Sequence, residues 1–467
     1  MKKTVLYAKV ISFDPLTELE DDMNERTLTE GPIFKTLVRF SLPYLLSCFL
    51  QTFYGLADLF ITGQFKGAAS ITAVSVGSQV THMLTLVIVG LAMGSTVAIS
   101  RCVGQRDRAG AAKAVGSSVV LFAAFAAILT AVLLLSTDGI ISLLSVPAEA
   151  LEEAKAYLTV CFWGVPLITA YNVLSSIFRG LGDSRRPMYF VAAAGVVNVG
   201  LDYLLIGPCS LGAAGAAIAT VIAQGVSVAI ALLYIRRRKA LPLSAADLRP
   251  DRNEMAALLR VGLPVAAQDF FIQIAFLTVT RIANGRGLEV AAAVGIVEKV
   301  ITFLFLVPSA MLSSVSAIAA QCAGAGRHDR GRKTLFYAMA AGALFGLIAA
   351  IVCQFASEGV LRLFSKEEPA VIALGAQYLR SYVFDCVFAA VHFCFSGYFC
   401  AYRRSMLAFA HNLASILIIR IPGAYLASLY FPDTLYPMGL AAPLGSLLSA
   451  LICAAAFFIL RRRFSED

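Results

Sequence analysis

Twelve apolar runs, each long enough to cross a bilayer, constrain this chain more than any other feature. They lie at about 36–62, 70–100, 114–136, 152–179, 187–207, 211–235, 257–283, 291–322, 334–356, 371–400, 406–430 and 436–460. Spanning about 30 Å of hydrocarbon takes about 20 helical residues. Lipid offers the backbone no hydrogen-bonding partner, so each run must satisfy its own amides as a helix. The runs are too long and too little alternating for barrel strands. The expected fold class is all-α integral membrane, with about twelve transmembrane helices. Composition agrees: 59% of residues are hydrophobic and 14% charged, where soluble domains run at about 45–50% and about 25%.

The polar segments between the runs carry a second pattern. Cytoplasmic loops hold the excess of Lys and Arg in membrane proteins. Arg101, Arg106, Arg108 and Lys113 follow the second run, and Arg179, Arg185 and Arg186 the fourth. Arg236, Arg237, Arg238, Lys239, Arg249 and Arg252 follow the sixth; Arg327, Arg330, Arg332 and Lys333 the eighth; Arg403 and Arg404 the tenth; Arg461, Arg462 and Arg463 the last. The alternate loops are poor in positive charge, which places both termini in the cytoplasm and the chain in the plasma membrane as a multi-pass protein. The net charge of +9 therefore sits in short loops, not on a stripe interleaved with aromatics, and excludes nucleic acid as a partner. The ten cysteines fall mostly inside apolar runs, without CxxC or Cys/His zinc spacing. They are expected to pack as small hydrophobes, free of disulfides.

The longest polar interruption divides the chain nearly in half, and the halves are copies. AVSVGSQVTHMLTLV (73–87) aligns with AVGIVEKVITFLFLV (293–307), and the same register pairs Cys102 with Cys322 and Gly104 with Gly324. DGIISLLS (138–145) meets EGVLRLFS (358–365), and Leu42-Pro43 meets Leu263-Pro264. Six helices per copy is an even number, so both copies cross in the same sense. A pseudo-two-fold axis along the membrane normal then relates two lobes around a central cleft, a recurrent layout of secondary transporters. The expected organisation is a polar lead (1–35), a six-helix lobe (36–235), a cytoplasmic linker (236–256), a second six-helix lobe (257–460) and a cytoplasmic tail (461–467). Residues 1–22 read as a dispensable or misassigned start ahead of Met23.

An ionisable residue at the centre of a membrane helix costs about 2.5–3.5 kcal/mol on insertion scales, so each asks for a reason. Asp58 lies deep in the first run, and Gln51, Tyr54 and Asp58 share one face at spacings of three and four. Asn198 and Asp202 stand one turn apart in the fifth run, with Gly195 and Gly200 beside them to permit close helix approach. The sixth run brings Thr220. Two carboxylates, an amide oxygen and a hydroxyl form an all-oxygen set suited to a hard cation. Two carboxylates in one buried site do not both stay ionised cheaply, so one takes a proton or the pair takes a cation. A purely structural role, in helix–helix hydrogen bonding, is the competing reading. The second half has its own outliers: Gln268, Asp269, Arg281, Glu298–Lys299, Asp385, His392, His411 and Arg420. Arg420 is a partner for Asp385 or Asp269. Gln51, Tyr54, Gln268, Asp269, Asp385 and Arg420 are the candidates for a substrate cleft.

Several segments together resemble the multidrug and toxic compound extrusion family, on its DinF-like side, over Asn24–Phe464. They are LTEGPIFKTLVRFSLP, QTFYGLADLFITGQF, RGLGDSRRPM, NVGLDYLLIG with GAAGAAIAT, and VEKVITFLFLVPSAMLSSVSAIAAQCAGAGRHDRGR. The resemblance implies two V-shaped bundles and efflux of cationic or amphipathic organic compounds driven by Na+ or H+. It also implies a cation site, with Na+ as one occupant, at Asp58, Asn198, Asp202 and Thr220. The second half departs from the NorM-like pattern. Ile272 stands where that branch has a Glu, Asp385 falls about a turn early, and CAYRRS (400–405) lacks the glycines of RGLGDS. Coupling is therefore expected in the first lobe.

The leading expectation is a secondary active exporter of small organic molecules that exchanges them for Na+ or H+ by alternating access. It would act as a monomer in the lipid bilayer, without a cofactor. The alternative is a flippase for lipid-linked oligosaccharide or polysaccharide, whose cleft should be more cationic. No HExxH, GxSxG or other catalytic constellation occurs, so no enzyme is expected.

Overall fold

The computed structural model describes residues 28–144, 146–238, 247, 249–364 and 368–460. The expected dispensable start, residues 239–246 and 248 of the expected linker, and the basic tail lie outside the described residues. Among the described residues, twelve helices are long and apolar enough to span a membrane: α1 Ile33–Phe65, α2 Ala68–Gly104, α3 Arg108–Leu135, α4 Ala148–Gly180, α5 Arg185–Ile206 and α6 Gly212–Arg237 in the first half. In the second they are α7 Arg252–Asn284, α8 Leu288–Gly324, α9 His328–Arg362, α10 Pro369–Ala401, α11 Ser405–Tyr430 and α12 Tyr436–Leu460. Each expected run is a helix, most of them longer than the run by a few residues at the polar ends. No strand occurs among the described residues, and all ten cysteines are free.

The two halves pack alike. In the first, α2 lies against α4, α4 against α6, α1 against α5 and α5 against α6; in the second, α8 lies against α10, α10 against α12, α7 against α11 and α11 against α12. Between hydrocarbon-facing helices there is no water to expel, so close packing of small residues does the work. It is concentrated where the halves meet, along α2 with α7 and α8. A Cβ on Gly94 would meet the carbonyl oxygen of Leu258 at 2.1 Å, and one on Gly262 would meet that of Leu91 at 2.1 Å. A Cβ on Gly104 would meet the carbonyl of Gln321 at 2.0 Å, and one on Gly324 that of Arg101 at 2.1 Å. Both pairs are reciprocal, and the second joins repeat-equivalent positions, Gly104 with Gly324 and Arg101 with Gln321, as a pseudo-two-fold axis through the seam requires.

All four contacts lie toward the end that carries the Arg-rich loops. There Arg101 also donates to the Ala401 carbonyl at 3.3 Å. Gln321 donates to the Gly180 carbonyl at 3.3 Å and accepts from the Leu28 amide at 3.1 Å. The lead into α1 is tied down by Arg330, which donates to the carbonyls of Leu28, Glu30 and Gly31, and by Arg327, which donates to that of Thr29. From residue 90 to 101, α2 is continuously buried; nearer the other end Gln79 and His82 are exposed, as are Lys299 and Thr302 at the repeat-related positions of α8. The lobes are closed at the basic-loop end and open toward the other.

Candidate functional site

The first-lobe site is assembled from three helices. α5 buries one stripe at helical spacing: Phe190, Val191, Ala194, Asn198, Asp202 and Ile206. Val196 and Leu204, on its other face, are exposed to the apolar surroundings. α1 is partitioned in the same way, with Asp58, Ile61 and Thr62 inside and Phe53, Leu56 and Phe60 outside. α6 enters from a tight turn in which Gly212 holds φ +57° and Glu153 accepts from the Ala213 amide at 3.2 Å. These stripes converge.

Asp58 is 3% exposed, and Asn198 and Asp202 are fully buried at 0%. Thr220 donates to Asp58 Oδ2 at 3.0 Å. Asp202 and Asn198 also face the Asp58 carboxyl. Yet Asp58 Oδ1, both Asp202 oxygens and both polar atoms of the Asn198 amide lack a hydrogen-bond partner of good geometry. Buried polar atoms are otherwise almost always paired. Five unpaired atoms around one point form an oxygen-rich cradle, and its donor set, two carboxylates with an amide and a hydroxyl, suits a hard monovalent cation or a proton.

Tyr54, one turn before Asp58, accepts a hydrogen bond from Gln224 Nε2 at 3.1 Å. Gln51 lies against the Tyr171 hydroxyl. Gln224 is not among the residues that the sequence singles out, although it lies one turn beyond Thr220 on the same face of α6 and is open to the same spacing argument. Gly195 lies 3.6 Å, from the position of an added Cβ, from the Tyr54 ring. Gly200 has nothing within 4 Å, so close approach beside the site involves Gly195 and not Gly200.

The remaining cleft candidates fall in two other places. Gln268 and Asp269 sit on α7 at the seam; Gln268 is buried with its amide unpartnered, and an added Cβ on Gly90 would come 2.8 Å from Asp269 Oδ2. Asp385 and Arg420 lie inside the second lobe, at 0% and 8% exposure, with the guanidinium 4.0 Å from Asp385 Oδ2. Arg420 therefore pairs with Asp385, not with Asp269. The structure brings Asp58, Asn198, Asp202 and Thr220 together, adds Tyr54 and Gln51 alongside, and holds the second-half residues apart from them.

Twelve spans in two similarly packed halves, with buried carboxylates inside one of them, define a multi-pass membrane protein of the repeat-built transporter type. The chain belongs to the MatE family, whose family model matches residues 43–204 and again 264–426. It is 28% identical to the probable multidrug resistance protein YpnP of Bacillus subtilis, covering 93% of this chain and 97% of that one. It is 26% identical to an FAD transporter of Shewanella oneidensis over 91% of this chain and 94% of that one. A solved multidrug resistance MATE transporter of the MOP superfamily in an outward-facing conformation superposes with a TM-score of 0.87 at 23% identity, covering 94% of this chain and 98% of that one.

Proposed function

We propose that this chain is a multidrug exporter of the plasma membrane that expels organic, cationic or amphipathic compounds in exchange for Na+ or H+ by alternating access, with both termini cytoplasmic. The observation that carries the reading is the Asp58–Asn198–Asp202–Thr220 cradle. Two acids at zero to three percent exposure share one pocket with unpaired oxygens, and no guanidinium or ammonium among the described residues neutralises them. A proton or a cation binding there removes the mutual repulsion of the carboxylates and draws α1, α5 and α6 together. Release of that ligand lets the helices part, so site occupancy biases the arrangement of the lobe. A seam closed at the basic-loop end and open at the other is one of the two arrangements that exchange requires. The names of the relatives point to drugs as the cargo, and the acidic first lobe suits cationic ones.

The test is flux in proteoliposomes holding the purified chain, with a sodium gradient and a proton gradient imposed separately. Export of an ethidium-like cation driven by one of the two gradients supports the reading and names the ion. Flux that tracks neither, together with rescue of a lipid-carrier flippase defect in cells, would transfer the chain to the polysaccharide-lipid alternative.

A further inference from the structure

The second lobe buries its own acids, but beside a fixed positive charge. Asp385 in α10 is completely buried, and neither carboxylate oxygen has a hydrogen-bond partner of good geometry. Arg420 in α11 lies 4.0 Å away. The guanidinium donates to the Tyr382 hydroxyl at 2.6 Å and stacks 4.7 Å from the centre of the Phe276 ring. Glu298 of α8 also lies within electrostatic range of it, with both oxygens accepting from Thr280 at 3.1 and 3.0 Å. The other groups facing Arg420 are the hydroxyl of Tyr378 and the imidazole of His392. Arg420 thus sits amid acids and aromatic hydroxyls, in a helical lobe where a free charge is costly.

The backbone has a device that puts it there. Pro422 lacks an amide proton, so the Ile418 carbonyl loses its usual partner four residues on. The chain responds with a π-turn over Ile416–Arg420, closed by the Ile421 amide donating to the Ile416 carbonyl. A π-turn inserts one extra residue and so rotates the rest of the helix about its axis. Gly445 of α12 lets α11 come close just before the π-turn, since a Cβ there would stand 2.8 Å from Ser415 Oγ.

The repeat says what the guanidinium replaces. In the register that pairs Pro43 with Pro264, Asp58 falls opposite Val279. Val279, Phe276, Tyr382, Arg420 and Ala424 line one small cavity inside the second lobe. Where the first lobe offers a carboxylate from its first helix, the second offers a valine and, from the penultimate helix, a cation on a side chain. We propose that Arg420 is a tethered cation that permanently fills the second-lobe counterpart of the Asp58–Asp202 cradle, so that only the first lobe exchanges a cation and each cycle moves one.

This rests on the first-lobe reading above, and the test separates the two. Sodium binding is measured with radioactive Na+, and proton binding by pH-jump titration, on the purified full chain in detergent. The wild type should bind about one exchangeable cation, and Asp202→Asn should bind none; persistence in Asp202→Asn defeats the first-lobe reading and leaves the tether untouched. Arg420→Met, in the Asp202→Asn background, should regain one cation, lost again when Asp385→Asn is added. A monodisperse Arg420→Met protein that regains none overturns the proposal, as does a wild-type cation that Asp385→Asn alone removes. If Arg420→Met does not fold, Arg420→Lys decides. It keeps the charge, so it should fold and bind one cation like the wild type, whereas a Lys variant that binds two shows that the side chain is no substitute for an ion.

Discussion

Gly262→Ala tests how the halves are held. The added methyl would sit 2.1 Å from the Leu91 carbonyl oxygen across the seam, with the Leu91 carbonyl carbon at 2.9 Å and its Cα at 3.1 Å. All three atoms are backbone, so no side chain can swing aside. Unstrained carbon contacts lie at about 3.5 Å, so α2 and α7 would have to part by roughly 1 Å at this level. Reciprocal contacts at Gly94, Gly104 and Gly324 hold the same seam and resist that parting. Overpacking of this kind costs about 1–3 kcal/mol. The strain falls on the arrangement that is closed at the basic-loop end, so its population should drop about 5- to 150-fold relative to the opposite one. Spin labels replacing the exposed Arg108 and Arg332, one in each half at that end, would report it by pulsed dipolar spectroscopy in a cysteine-depleted background. The expected result is a longer distance component that grows in Gly262→Ala and is absent in Gly200→Ala, where an added Cβ meets nothing within 4 Å. An unchanged distance distribution and unchanged thermal stability would refute the idea that backbone contact at the glycines sets the closed seam.

Other expectations concern orientation and pH. Cys209, between α5 and α6, is the exposed one among the ten cysteines and lies in a loop poor in positive charge. A membrane-impermeant maleimide should therefore label it from outside the cell, with Cys209→Ser as control; labelling from the cytoplasmic side alone would invert the topology. Asp251 caps α7 by accepting from the Asn253 and Glu254 amides and pairs with Lys113 of α3 across the seam at 2.5 Å. The Lys113 ammonium, foremost, and the Glu254 amide hold its carboxyl below the usual carboxylate range. Because the folded value is depressed, the contact contributes fully above the unfolded carboxyl value near 4 and is lost as pH falls through the lower folded one. The stability gap between wild type and Asp251→Asn should stay constant from about pH 8 to about pH 5 and close only in stronger acid; a gap that closes near neutrality would contradict this.

The spans, the repeat and the first-lobe cradle were legible because each has a local signature. Hydrophobic length marks a helix, and i, i+4 spacing puts Asn198 with Asp202 and Tyr54 with Asp58 on common faces. Contacts between distant segments have no such period. Nothing near Gln321 says that it bridges Leu28 and Gly180, and nothing near Arg330 says that three carbonyls of the α1 lead await it. Gly104 and Gly324 were visible as a repeat match, but their role, each against a backbone carbonyl of the other half, depends on how the lobes dock. The sequence leaves two acids as partners for Arg420 for a related reason: the π-turn before Ile421 changes the helical register that spacing alone assumes, and the side chain pairs with Asp385.

Neutralising Asp58 and Asp202 one at a time tests most directly whether they hold the coupling ion. Cation-driven efflux and membrane abundance are measured for Asp58→Asn and Asp202→Asn in the same proteoliposomes. Removing a buried charge relieves an insertion cost of about 2.5–3.5 kcal/mol, so both variants should insert and accumulate as the wild type does. Each should nonetheless lose uphill efflux, while Thr220→Ala, which deletes one neutral ligand bonded to Asp58, should lose only part of it. Normal uphill efflux by both Asn variants would contradict the account, and a collapse in abundance would make the two acids anchors of the fold instead of the coupling site.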